Sequence, residues 1–244
     1  MVIEIAQIEG SGDSKFRDAI RVYSKNLESY LREPPRVLRN TLIRVENGSY
    51  GDQKYHMFLA KKEDEPVGMV TVNYFPNVNV GFMGYIVVAK KYRGQGIGTA
   101  LYRTSCSAIN SDANARVGKQ ADALVYETDK VKVQDTKKME EGVKRLHFFK
   151  AMGGYIVSGV DYYQPPLRKK DPPSGLYLMV HPFLKPPLFD LNSGWLIAVI
   201  RAIFQNVYRV DSPLTEDETE AFLGKIIASI QPASLRLVKD DDFA

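Results

Sequence analysis

The chain has 244 residues, of which 44% are hydrophobic and 25% charged, the balance of an ordinary globular protein with enough apolar material for a sizeable core. Cys106 is the only cysteine, and His56, His147 and His181 are the only histidines; an internal disulfide and a Cys-rich zinc site are excluded, and no metal is expected. The net charge of +4 suits a protein that binds a polyanionic small molecule and is too weak to argue for nucleic acid.

Val2 to Ile8 alternates and reads as a strand. Phe16, Ala19, Ile20, Tyr23 and Leu27 then fall on one helical stripe, after a turn at Ser11-Gly12-Asp13-Ser14. Pro34-Pro35 breaks the chain, and Val37 to Val45 predicts a second helix ended by Asn47-Gly48. Three strands follow, Tyr55 to Ala60, Pro66 to Tyr74 and Val80 to Ala89, with links short enough for an antiparallel meander. Ile97, Leu101, Thr104 and Ala108 repeat at helical spacing, and Ala121 to Tyr126 reads as a fifth strand. Met139, Val143, Leu146, Phe149 and Met152 form another stripe, closed by Gly153-Gly154. Tyr155 to Tyr163 and Leu176 to His181 are strand-like. Pro186-Pro187 marks a boundary, beyond which Trp195 to Tyr208 and Thr215 to Ile230 predict two helices. Thr215-Glu216-Asp217-Glu218 supplies a capping box for the second, and the tail Asp240-Asp241-Asp242 is expected to fray.

No basic segment followed by an apolar one opens the chain. Its longest uninterrupted apolar run, Trp195 to Ile200, is far below the ~20 residues that cross a bilayer. A cytoplasmic protein with no membrane span is the expectation.

Chemistry enters at Ile86-Val87-Val88-Ala89-Lys90-Lys91-Tyr92-Arg93-Gly94-Gln95-Gly96-Ile97-Gly98-Thr99. A strand runs into a glycine-rich turn and a helix starts at once. Such a turn converges successive backbone N–H groups, and the helix dipole adds to them, which makes an anion site. A Walker loop would need Lys-Ser/Thr after its last glycine, where Thr99-Ala100 stands. A dinucleotide fingerprint begun at Gly94 would need Gly or Ala at Thr99, and a parallel βαβ unit.

Arg93-Gly94-Gln95-Gly96-Ile97-Gly98 matches the [RQ]-x-x-G-x-[GA] pyrophosphate motif of the GNAT superfamily of acyl-CoA-dependent N-acetyltransferases. The approach Val88-Ala89-Lys90-Lys91-Tyr92-Arg93 resembles that family's V-x-P-x-Y-R, with Lys90 in place of Pro. The element order is similar through about residue 182. The resemblance implies an α+β fold: a mixed, mainly antiparallel sheet flanked by helices over residues 1–182, with a C-terminal helical extension over 183–244 packed on it. It implies acetyl-CoA as co-substrate. The backbone of Ile86, Val87 and Val88 would pair with the pantetheine arm, while Arg93, Gly94, Gln95, Gly96, Ile97, Gly98 and Thr99 would hold the pyrophosphate. Lys90, Lys91 and Arg103 are candidates for the outer phosphate, or a solvated basic face.

The implied reaction is direct attack of a primary amine on the thioester, which calls for a base and, for the departing thiolate, an acid. No Asp or Glu lies between Asn77 and Val88. Glu127, at the end of the predicted fifth strand, is the nearest candidate base; the alternative is an exposed strand-end carboxylate. The family's usual acid is a Tyr in the helix before a Gly-Phe pair, and Phe149 stands there. Tyr155, Tyr126 or His147 would have to substitute, with Tyr155 the first candidate, or the thiolate leaves unassisted. Phe149 also motivates an alternative, a non-catalytic acyl-CoA-binding or scaffold module on the same fold. Cys106 reads as a packing residue.

By the same resemblance the acceptor amine, whose identity the sequence does not give, sits between Leu27–Arg36 and Tyr162–Gly175. Arg168-Lys169-Lys170 in the second segment suggests a cationic rim or a merely solvated loop. The apolar stretch Trp195 to Tyr208 is expected to pack on the core, at the mouth of the acceptor site, or on a second subunit in a homodimer.

Overall fold

The computed structural model describes residues 2–130, 136–169, 171–184, 189–210 and 212–239, without the side chains of 136–139. Pro186-Pro187, Lys170, the side chain of Met139 and Asp240-Asp241-Asp242 lie outside the described residues. The chain forms two compact units, Met1–Ala121 and Asp122–Ala244.

The first unit holds strands β1 (Glu4–Gln7), β2 (Lys54–Lys62), β3 (Glu65–Phe75) and β4 (Val80–Val88), with helices α1 (Ser14–Asn26), α2 (Pro35–Glu46) and α3 (Ile97–Val117). The strands pair antiparallel in chain order, as the short links require. Alternation assigns the faces. Tyr55, Met57 and Leu59 of β2, Met69 of β3 and Val87 of β4 join Phe16, Ala19, Val22 and Tyr23 of α1 and Leu38 and Leu42 of α2 in one core. On the other face, α3 comes so close that a Cβ at Gly68 would meet Leu101 and Ile97, and one at Gly81 would meet Ile109.

Local chemistry sets the ends. Asp13 caps α1 by accepting the Lys15 N–H at 2.9 Å. The expected break at Pro34-Pro35 is the start of α2: Pro35 is its first residue, where a missing N–H costs nothing. β4 carries a bulge. Tyr85 pairs with Thr71 and Met83 with Val72, so Gly84 is the extra residue, and the Thr71 hydroxyl accepts the Tyr85 N–H at 3.1 Å.

The second unit holds β5 (Ala123–Asp129), α4 (Thr136–Ala151), β6 (Tyr155–Ser158), β7 (Tyr163–Gln164), β8 (Ser174–Pro182), α5 (Ser193–Ile203), α6 (Glu216–Ala228) and β9 (Arg236–Val238). β8 pairs antiparallel with β5, β6 and β7, and β6 with β9. The capping box on α6 forms as its sequence predicts. Three details depart from expectation. The strand expected over 155–163 is two pieces, because Gly159 turns at φ +79°, where a Cβ would strike the Ser234 and Leu235 backbone. β5 runs on to Asp129, so Glu127 is inside the strand, opposite Leu178, and not at its end. The helix expected over 195–208 is α only to Ile203; Phe204–Tyr208 is a π-turn. Leu196, Val199, Ile200, Ile203 and Phe204 are buried.

The described strand pairings within both units are thus antiparallel and flanked by helices, an α+β architecture. Among the described residues no helix is long and apolar enough to cross a membrane.

Candidate active site

The glycine loop belongs to the first unit. A 3-10 turn at Lys90–Tyr92 ends β4's exit, and the Asn26 side chain accepts the Lys90 N–H at 3.1 Å. Gly94 and Gly96 then take φ +77° and +80°, the left-handed region that costs other residues roughly 1–2 kcal/mol. A Cβ added at either would meet nothing within 4 Å. Space therefore opens above both residues, and it is their backbone conformation rather than packing that calls for glycine. Gly96 is the N-cap of α3 and offers no side-chain cap. The N–H groups of Ile97, Gly98 and Thr99 have no partner within the helix. Three ingredients of an anion cradle coincide: uncapped helical N–H groups, the positive end of a 21-residue helix, and unfilled space.

Cations surround this turn. Lys62 Nζ donates to Gln95 Oε1 at 3.1 Å, and both Lys62 and Lys91 sit over the Tyr92 ring at 5.3 and 4.8 Å. Glu65 pairs with Lys91 at 2.6 Å and accepts the Tyr92 hydroxyl. Arg93 Nε donates to the Val88 carbonyl at 3.3 Å, which ties the turn back to β4. Arg103 is exposed in the second turn of α3. Of the residues expected at the pantetheine, Val87 is buried in the core, and Ile86 and Val88 are half-buried on β4. The α1–α2 connection turns Glu33 toward β4: its N–H donates to the Tyr85 hydroxyl at 3.1 Å, and Tyr23 donates to its carbonyl at 3.2 Å.

The second unit holds the candidate carboxylate, Glu127. Glu127 is half-buried as a residue, and its carboxyl end lies deep. Tyr162 donates to Oε1 and Tyr208 to Oε2. Gln164 Nε2 in turn donates to the Tyr208 hydroxyl at 3.0 Å. Burial pushes the Glu127 carboxyl up to about 7, against the opposing pull of the two phenols. Burial also drives both phenols well above their ordinary range, so they remain donors. The exposed strand-end carboxylate of the alternative sequence reading is therefore not what the structure holds.

That raised value fixes the sign of a stability effect. The folded chain keeps a proton that a carboxyl of ordinary pKa (about 4.3) has lost in the unfolded chain. The stability this contributes is complete below that ordinary value and is lost as pH rises through about 7. The native melting temperature should therefore fall more steeply between pH ~5 and ~8 than that of Glu127→Gln. Circular-dichroism melts across that range test this, and equal slopes would refute it.

The tyrosines at Glu127 are Tyr162 and Tyr208, which the sequence reading did not select. Tyr155 is opposite Val180 on β6, and Val180 is also opposite Val125 on β5. Since Glu127 is two residues beyond Val125, Tyr155 shares its face of the sheet. Its ring lies under the Lys239 amine at 5.0 Å. Tyr126 points to the opposite face and packs on Phe149, with ring centroids 4.3 Å apart. Burial pushes the Cys106 thiol up to about 12, which removes it as a nucleophile. Arg168 pairs with Asp171 at 3.6 Å, which partly neutralises the expected cationic rim. Among the described residues no group of three or more His, Cys, Asp or Glu is placed to hold a metal ion.

Residues 18–117 match the sequence model of the acetyltransferase (GNAT) family. No curated protein matches the chain. A solved structure from Bacteroides thetaiotaomicron, assigned to the GNAT family of acetyltransferases, aligns with a TM-score of 0.59 at 18% identity, over 87% of this chain and 99% of its own. One from Desulfovibrio desulfuricans, of the same family assignment, aligns with a TM-score of 0.51 at 15% identity, over 74% and 97%. At such identities the likeness speaks to fold and not to substrate. The protein therefore has the fold of these GNAT acetyltransferase structures, and residues 18–117, the stretch that holds the glycine loop, match the GNAT family's sequence model.

Proposed function

We propose that the protein transfers an acyl group, acetyl in the first instance, from CoA to a primary amine. The observation that carries this reading is the open turn at Gly94 and Gly96 feeding an uncapped α3 within the family-matched segment. It suits a pyrophosphate: charge-assisted bonds from backbone N–H groups need close approach, and no Cβ stands in the way. Arg93, Gly94, Gln95, Gly96, Ile97, Gly98 and Thr99 would hold the pyrophosphate, with Lys62 and Lys91 adding positive potential. The backbone of Ile86, Val87 and Val88 would run beside the pantetheine arm.

Acetyl-CoA would supply the activated acyl group as a thioester. Glu127 would take the proton that the attacking amine loses, directly or through a water. Its suitability rests on an ionisation near neutrality, the range in which a general base works best. Each of its oxygens accepts one phenol and keeps a further lone pair for the incoming proton. Tyr155, on the same face of the sheet, is the candidate donor to the departing thiolate.

Phe149 supports a second reading, an acyl-CoA-binding module without turnover. It is buried against Tyr126 and has no proton to give. Incubation with acetyl-CoA and a panel of primary amines separates the two. Release of free CoA thiol together with an acetylated amine is expected for the enzyme. Binding of acetyl-CoA without amine-dependent release across the panel would favour the module.

A further inference from the structure

We propose that Tyr208 is a positioning residue for the Glu127 carboxyl, so that the π-turn beyond residue 182 is a working part of the site rather than cover for it. This rests on Glu127 acting as the base. Tyr208 is reached 81 residues along the chain from Glu127, yet its hydroxyl donates to Oε2. The direction of that bond is fixed. Gln164 donates to the Tyr208 oxygen at 3.0 Å, so the only phenolic proton is left to point at the carboxyl. Tyr162 holds Oε1 in the same way from the other side. With both oxygens pinned, the carboxyl plane cannot turn, and the lone pairs left over face fixed directions.

The backbone is bent to achieve this. The Arg209 N–H reaches back five residues to the Phe204 carbonyl at 2.8 Å. That turn contains one residue more than an α-turn, which rotates everything after it by ~100° about the axis. Without the extra residue Tyr208 would project in another direction. Such single π-turns are rare and frequently lie at functional sites. The turn is also packed in place. Phe204 packs on Tyr208 at 5.3 Å and on Phe222 at 6.2 Å, and Phe204 and Tyr208 are buried. Among the described residues, the titratable groups that bond Glu127 are Tyr162, on the segment before β7, and Tyr208, on the π-turn.

Carbon-13 NMR of glutamate-labelled protein reads the Glu127 carboxyl directly, with Glu127→Gln identifying its signal. Tyr208→Phe removes one donor to the charged form, so the titration midpoint should rise by roughly one pH unit. The acidic limb of kcat/KM, measured with acetyl-CoA and whichever amine is turned over, should move in the same direction. Gln164→Ala, which frees the phenol to rotate, should give a smaller rise, and it carries the test if Tyr208→Phe does not fold. An unchanged midpoint in a folded variant would overturn the proposal. So would a shifted midpoint without a matching shift of the acidic limb, since Tyr208 would then tune a carboxyl the reaction does not use. Loss of all amine-dependent turnover in the native chain would instead refute the acyltransferase reading.

Discussion

Gly96→Leu should weaken acetyl-CoA binding at least ~100-fold while the protein stays folded. The side chain would enter the open space above the turn and deny a pyrophosphate the converging N–H groups. Losing two charge-assisted hydrogen bonds at about 1.5–3 kcal/mol each accounts for that factor. Forcing a non-glycine residue to φ +80° adds a structural cost of about 1–2 kcal/mol. Gly118 provides the control. It caps the other end of α3 at φ +71°, also with nothing within 4 Å of an added Cβ. Gly118→Leu should therefore cost similar stability and leave binding unchanged. Calorimetric titration of acetyl-CoA into both variants, beside thermal melts, separates loss of site from loss of fold. Native affinity in Gly96→Leu would remove the phosphate role from this turn.

Glu127→Gln should lower kcat/KM by ~10²–10⁴-fold, the loss typical of a missing general base, with acetyl-CoA affinity retained. Because the native carboxyl titrates near 7, the native rate should climb as pH rises toward that value and level off above it. Only the deprotonated form can accept a proton. In Glu127→Gln that limb should vanish, leaving a low rate that rises only as the free amine itself deprotonates. Initial rates from pH ~5.5 to ~9 against the best amine of the panel provide the check. Native turnover and an unaltered acidic limb in the variant would assign the proton transfer elsewhere.

The parts of this arrangement differ in how far they could be read from the chain. The strand through Met69 was legible because alternation with period two leaves a direct mark on the residue order, and the strand through Val87 because it ends in the continuous apolar run Tyr85-Ile86-Val87-Val88. The glycine loop was legible for the same kind of reason: Gly94 and Gly96 answer a local conformational demand, and the helix stripe begins at Ile97. The setting of Glu127 was misread as a strand end. The apolar run stops at Tyr126, whereas ladder pairing with Leu178, Tyr177 and Leu176 carries the strand to Asp129. Pairing is a property of two segments and leaves no mark on one. The partners of Glu127 were invisible for a related reason. Tyr162 and Tyr208 lie 35 and 81 residues away, and each reads as one more aromatic among apolar neighbours. The π-turn itself has no periodic signature, because a single extra residue in Phe204–Tyr208 looks like a slight irregularity in an apolar stripe. Gly159 did carry a signal, an isolated glycine inside a strand-like run, which its positive φ and the nearby Ser234 backbone explain.

The most direct test of the account follows the backbone amides of the labelled protein while acetyl-CoA is added. The N–H groups of Gly94, Gln95, Gly96, Ile97, Gly98 and Thr99 should show the largest shifts, saturating together with a single affinity. Binding that leaves these six amides unmoved, or no binding at millimolar acetyl-CoA, would contradict it.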